Sequence, residues 1–307
     1  MFSGSLVAMV TPMVDDGGID YDAWDRLLDW HLQCGTAGVV VGGSTGESVA
    51  LTDAELDTLL ARAKLRVKGR MALIAGIGGS STAGVVERVR QLKATVLDAL
   101  LVVTPAYNRP TQEGLYRHFA AIAVASPAPI MLYNVPSRTA VDLLPTTVAR
   151  LSELSRVIGI KEAVGDVGRI RDLLRVCPKN FCVLSGDDAS ACEAVLAGAR
   201  GVISVTANVA PAPVAAVMAA AQRGDAALAA RLDARLAALH RELSLESNPI
   251  PAKWALADMK MINVGIRLPL TWLSESLHAR VRGALLAAQQ TTDRAQPSAG
   301  RPEARSA

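Results

Sequence analysis

The chain has 307 residues, of which 50% are hydrophobic, 4% aromatic and 20% charged. A chain this apolar offsets its ordering entropy by burial, which excludes general disorder, and no run approaches the roughly 18 uninterrupted apolar residues of a spanning helix. Lys+Arg total 32 against Asp+Glu 29, and no basic stripe interleaved with aromatic residues points to nucleic acid.

In chain order, short apolar runs rich in β-branched residues fall at Leu6–Val10, Val39–Val41, Ala72–Ala75, Ala99–Val103, Ile130–Tyr133, Val157–Ile160, Cys182–Leu184 and Val202–Val205. Each is followed by helical periodicity. Asp22–Cys34 places Trp24, Leu27, Leu28 and His31 on one face and stops before Gly35. Thr52–Val67 opens with Thr52 and Glu55 spaced as a capping box. Further helices are expected at Thr82–Ala94, Thr111–Ala125, Thr146–Leu154, Val167–Val176 and Asp188–Ala197.

Eight strand-helix units argue for parallel strands with helical crossovers, and strands apolar on consecutive positions are buried on both faces. An open doubly wound sheet would carry a phosphate-binding glycine turn after its first strand, but here that turn is Thr11-Pro12. A closed (β/α)8 barrel, the TIM barrel of the α/β class, is the better reading. Residues 1–224 are expected to form it. The helical stretches Pro211–Arg223, Ala226–Ser244, Pro251–Ala257 and Leu273–Ala288 are read as its eighth helix and a small all-helical domain over 225–290. Residues 291–307 read as a frayed polar tail.

Cys34, Cys177, Cys182 and Cys192 form no C-x-x-C, and the four histidines are scattered, so neither a disulfide framework nor a metal site is expected. With no secretory signal pattern in the first residues, the chain reads as cytoplasmic.

In such a barrel, chemistry sits at the carboxyl ends of the strands. Lys161 ends an apolar run there, and a dry environment favours the neutral amine, the form that attacks a carbonyl. Taken alone, it reads equally as a lysine reaching solvent or pairing with Glu162. Tyr133 ends the preceding run, where a fixed phenol can move protons or merely pack. Ser44 and Thr45 lie in Gly42-Gly-Ser-Thr-Gly46, whose backbone N–H groups can gather round a small carboxylate. Arg138 is a loop arginine, either solvated or a bidentate clamp for a carboxylate.

These segments, with Thr104–Pro110, Tyr133–Thr139, Gly159–Ala163, Ser185–Asp188, Gly201–Asn208 and Asn248–Trp254, resemble the dihydrodipicolinate synthase family of pyruvate-dependent class I aldolases. The similarity runs from about Phe2 to Ala288. The resemblance implies that Lys161 forms a Schiff base with pyruvate. Tyr133 would be the acid/base, linked through Ser44 to a Tyr107 reaching in from a neighbouring subunit. Thr45 and the turn's amides would hold the pyruvate carboxylate, and Arg138 the carboxylate of L-aspartate-4-semialdehyde. Gly186 and Ile203 match pyruvate-pocket positions. The product would be 4-hydroxy-tetrahydrodipicolinate, on the diaminopimelate route to lysine. The assembly implied is a homotetramer built from tight dimers, and the chemistry needs no cofactor or metal.

Two departures from the family pattern stand out. Ser44 replaces the usual threonine, which leaves a hydroxyl with a freer rotamer; serine there also occurs in the N-acetylneuraminate lyase branch, whereas Arg138 favours the synthase branch. At the positions where many members bind inhibitory lysine, this chain has Asp53, Leu56, Ser80, Gly84 and Ala106, so strong lysine inhibition is not expected. The alternatives are a sister aldolase acting on a sugar acid and a non-catalytic binding barrel.

Overall fold

A computed structural model describes residues 2–92 and 97–293. Eight strands, β1 (Gly4–Ala8), β2 (Gly38–Val41), β3 (Ala72–Ile77), β4 (Ala99–Val103), β5 (Ile130–Asn134), β6 (Val157–Glu162), β7 (Cys182–Ser185) and β8 (Gly201–Ser204), pair in chain order. Every pairing is parallel, and β1 closes on β8. At the seam, a Cβ on Gly201 would lie 2.0 Å from the Gly4 carbonyl oxygen, so only glycine permits this approach.

The period of two explains the apolar runs. Leu6, Val40, Ile74, Leu101, Met131 and Leu184 pack together in the barrel lumen. Their neighbours Val7, Val39, Leu73, Leu100, Leu132 and Val183 belong to the larger core shared with the surrounding helices. The first strand is displaced from the expected Leu6–Val10. Beyond Ala8 the Val10 N–H donates to the Asn208 side chain rather than to a strand, and Asn208 Nδ2 donates back to the Ala8 carbonyl.

Helices α1 (Tyr21–Gln33), α2 (Asp53–Val67), α3 (Thr82–Gln91) and α4 (Gln112–Ala125) follow the first four strands. The capping box of α2 forms in both directions: the Glu55 N–H donates to Thr52 Oγ1 (3.2 Å), and the Thr52 N–H donates to Glu55 Oε2 (2.8 Å). The expected end of the third helix, at Ala94, lies outside the described residues. A one-turn helix, α5 (Pro136–Thr139), precedes α6 (Pro145–Ser152), so Arg138 sits on a helical turn rather than in an open loop.

Next come α7 (Val167–Val176) and α8 (Ala191–Leu196), the latter shorter than the expected 188–197. The Asp187 carboxylate accepts from the Ser190 N–H, and the Asp188 carboxylate accepts from the Val205 and Thr206 N–H groups, so neither residue joins the helix. After α9 (Pro211–Gln222), the expected single helix over 226–244 is two, α10 (Ala226–Asp233) and α11 (Ala237–Glu242), joined by i→i+3 bonds at Arg235 and Leu236.

Two further helices, α12 (Ile250–Asp258) and α13 (Glu275–Asp293), complete the described chain. The last carries helix through 291–293, where the tail was expected to begin, and the rest of that tail lies outside the described residues. Among the described residues no helix is long and apolar enough to cross a membrane. All four cysteines are free thiols, and burial pushes Cys177, Cys182 and Cys192 up to about 11.

Candidate active site

The register of β5 against β6 sets Tyr133 opposite Lys161 and Asn134 opposite Glu162. Alternation then sends Tyr133 and Lys161 to one face and Glu162 to the other. Lys161 is only 5% exposed, and its Nζ stands 4.4 Å from the centroid of the Tyr133 ring, which itself belongs to the lumen cluster.

Glu162 is not the partner of Lys161. Its carboxylate accepts from Asn134 Nδ2 (3.0 and 3.1 Å) and from the Val164 N–H (3.0 Å), with Arg169 at 3.6 Å. Burial nevertheless pushes the Glu162 carboxyl up to about 7.

Gly186 follows β7 and donates its N–H to the Glu162 carbonyl at 2.6 Å. A Cβ there would lie 2.8 Å from Lys161 Cε and 2.7 Å from Ala163 Cβ. This glycine therefore makes room for the lysine chain. Ile203, fully buried on β8, contributes its side chain to the lumen cluster beneath the mouth.

The turn after β2 is a short 3₁₀ segment, Ser44–Gly46. Its own bonds begin with the Gly46 N–H donating to the Gly43 carbonyl, so the amides of Ser44 and Thr45 precede the first internal donor. Thr11 Oγ1 donates to the Gly46 carbonyl at 2.8 Å and pins the turn to the end of β1. Ser44 and Tyr133 line one cavity of about 280 Å³, which continues past Ser48, Asp53, Leu56, Ser80 and Ala106. Four of the five positions expected to govern lysine binding, Asp53, Leu56, Ser80 and Ala106 but not Gly84, thus line the same cavity as Ser44 and Tyr133.

Tyr107 is not brought into that cavity. It stands 93% exposed with φ at +74°, a strained value for a side-chain-bearing residue. Its loop is fixed by Ser80 Oγ donating to the Ala106 carbonyl and by Asn108 Nδ2 donating to the Ser80 carbonyl. The exposure is therefore built in, and within one chain Tyr107 does not line the cavity that Ser44 lines.

Arg138 and Thr45 meet through a residue to which the sequence reading gave no role. Arg138 Nη2 donates to the Asn248 carbonyl at 3.0 Å, and Asn248 Nδ2 donates to Thr45 Oγ1 at 2.8 Å. A second unforeseen contact lies one turn away: Lys253 Nζ donates to Glu47 Oε1, with both side chains essentially inaccessible. Burial pushes the Lys253 ammonium down, and the Glu47 carboxylate pulls it back up. Glu47 adopts φ +56°, and its second oxygen accepts from the Arg267 N–H. The only sequence signal was the motif Asn248–Trp254 itself, because partners more than 200 positions apart leave no periodicity to read.

Comparison with known proteins shows the family to which the chain is similar. The profile described as the dihydrodipicolinate synthetase family matches residues 1–288. A protein of Ectopseudomonas mendocina named 4-hydroxy-tetrahydrodipicolinate synthase is 52% identical over 285 residues, covering 93% of this chain and 98% of the relative. The protein of that name from Pseudomonas aeruginosa is 50% identical with the same coverage. Among solved structures, a chloride-inhibited dihydrodipicolinate synthase from Acinetobacter baumannii, complexed with pyruvate, is 45% identical. It superposes with a TM-score of 0.92 over 94% of this chain and 99% of its own. A barrel with Lys161 against Tyr133, matched along nearly its whole length by these proteins, belongs to the dihydrodipicolinate synthetase family.

Proposed function

We propose that the protein is a 4-hydroxy-tetrahydrodipicolinate synthase, a lyase of the diaminopimelate route to lysine, condensing pyruvate with L-aspartate-4-semialdehyde. The observation that carries the reading is the register pair Tyr133–Lys161, an amine and a phenol facing each other in a dry barrel mouth. Lys161 Nζ attacks the ketone carbon of pyruvate, and the carbinolamine loses water to give an iminium. Loss of a methyl proton gives the enamine, whose carbon adds to the aldehyde. The α-amino group of the second substrate then displaces Lys161 and closes the ring.

Each step moves a proton, and in this reading Tyr133 carries it. Thr45, with the amides of the Ser44–Gly46 turn, holds the pyruvate carboxylate. Gly186 and Ile203 shape the pocket, and Arg138 receives the carboxylate of the aldehyde. The N-acetylneuraminate lyase reading is not favoured, since relatives at about half identity carry the synthase name.

The relay needs a second copy. A tyrosine held outward at 93% exposure on a strained loop serves no purpose in a single chain, and the strain of about 1–3 kcal/mol is offset when a partner receives the ring. We read the assembly as a tight dimer, paired into a tetramer, in the cytoplasm. A solved relative, 37% identical, is described as a monomeric variant, so the assembly is tested directly by complementation. Tyr107→Phe and Lys161→Ala are each expected to be nearly inactive, and mixing them is expected to restore activity, because a hybrid holds one site with both groups. No recovery in proven hybrids would refute contribution across the interface.

Residues 1–224 are read as the catalytic barrel and 225–290 as a helical cover. Lysine inhibition is expected to be weak: the Asp53 carboxylate is engaged by Arg88 at 3.0 Å, and that guanidinium lines the cavity where a lysine ammonium would sit.

Borohydride trapping with pyruvate, read by intact mass and peptide mapping, tests the chemistry. A three-carbon adduct on Lys161, absent from Lys161→Ala, is expected. A coupled assay with aspartate semialdehyde then identifies the second substrate. No adduct on folded protein at millimolar pyruvate would overturn the proposal in favour of a binding barrel.

A further inference from the structure

Asn248 touches both expected carboxylate anchors. Its backbone carbonyl accepts from Arg138 Nη2, and its side-chain amide donates to Thr45 Oγ1. The direction of the second bond matters. An amide nitrogen can only donate, so Thr45 Oγ1 accepts, and the Thr45 hydroxyl proton remains to be given to a carboxylate oxygen. Turning the amide over would reverse this: the Thr45 proton would go to Asn248 and be lost to the substrate.

A second observation points the same way. Among the described residues the buried Asn248 Oδ1 finds no donor. An amide placed for stability alone would be satisfied at both ends, since a stranded buried acceptor costs free energy in the folded state. Here one end is left unpaired while the other holds the pocket hydroxyl.

We infer that Asn248 is a positioning residue for the proposed reaction, fixing the Thr45 hydroxyl as a donor to the pyruvate carboxylate while its main chain steadies Arg138. The inference rests on the synthase reading of the site. Its two arms are separable, because a side-chain substitution removes the bond to Thr45 and leaves the carbonyl that Arg138 uses.

The test measures half-saturating pyruvate by borohydride trapping, and KM for both substrates, in the full-length enzyme. Asn248→Ala is expected to raise half-saturating pyruvate about three- to tenfold and to leave the KM for aspartate-4-semialdehyde unchanged. Asn248→Asp, nearly isosteric and so least prone to misfold, accepts the Thr45 proton and brings a negative charge to the carboxylate site. It is expected to exceed the alanine variant in the same direction.

Asn248→Ala added to Thr45→Val is expected to cause no further loss, because the first acts through the second. Wild-type pyruvate affinity in both Asn248 variants, equal loss for both substrates, or additivity with Thr45→Val would overturn the inference. Absence of any adduct in the wild type would instead overturn the synthase reading, and this inference with it.

Discussion

Gly186→Ala isolates the geometry of the amine. The backbone there is not in the left-handed region, so alanine adds no conformational strain and acts through contact alone. Its Cβ would meet Lys161 Cε at 2.8 Å, Lys161 Cγ at 3.0 Å and Ala163 Cβ at 2.7 Å. Reaching ordinary carbon–carbon separation requires the lysine chain to retreat by roughly 0.7 Å. A displacement near 1 Å at a reacting atom costs about a hundredfold, so the retreat is expected to slow amine attack on the order of thirtyfold. Overpacking adds about 1–3 kcal/mol of destabilisation.

The assay is single-turnover trapping with pyruvate and borohydride, which reads formation of the iminium and is blind to product release. Gly283→Ala is the matched control. On α13, nothing lies within 4 Å of the added Cβ, and helix propensity predicts up to about 1 kcal/mol of stabilisation with unchanged trapping. A folded Gly186→Ala enzyme that traps pyruvate at the wild-type rate would refute the argument that this glycine sets the lysine's position.

Lys253→Met leaves the Glu47 carboxylate buried without its counter-charge and is expected to cost about 3–5 kcal/mol; thermal melting checks it, and adding Glu47→Leu should recover part of the loss. The Glu162 carboxyl stands at about 7 against an ordinary 4.5, so the fold favours its protonated form. That contribution is complete below the lower value and disappears as pH rises through the upper one. Glu162→Gln is therefore expected to flatten urea-unfolding stability between pH 4 and 8 by up to about 3 kcal/mol, and an unchanged slope would contradict the assignment. Lysine titrated against the wild-type enzyme is expected to give no half-inhibition below about a millimolar, a threshold of about 4 kcal/mol in affinity.

What the sequence made legible was local or periodic. Eight apolar runs announced eight strands, and Thr52 with Glu55 announced the start of α2. Strand-end position alone put Lys161 and Tyr133 at the mouth. The doubt over whether Lys161 pairs with Glu162 also had a local answer: neighbours on a strand face opposite ways, and Glu162 turns to Asn134 and Arg169 on the outer face. Other features had no local signal. The break between α10 and α11 interrupts an alanine- and leucine-rich stretch that reads as one helix. The end of β1 is decided by Asn208, across the barrel seam. Asn248 has no propensity or spacing that links it to Thr45.

The distant contacts made by Asn248, Lys253 and Arg267 share one target, the turn between Gly43 and Ser48. The proposed function has it present two amides, a threonine hydroxyl and a serine hydroxyl in fixed positions, while Glu47 sits in a left-handed conformation that costs about 1–2 kcal/mol. A loop held by its own bonds alone would relax toward an unstrained conformation. Lys253 on α12 and the Arg267 backbone grip the two oxygens of Glu47, and Asn248 holds Thr45. Arg267 also bonds Glu55 and the Ala50 carbonyl, which ties the start of α2 to the same region. The helices beyond the barrel are therefore part of the site's frame. A truncation that spared all eight strands would still release the turn to which the proposed function assigns the pyruvate carboxylate.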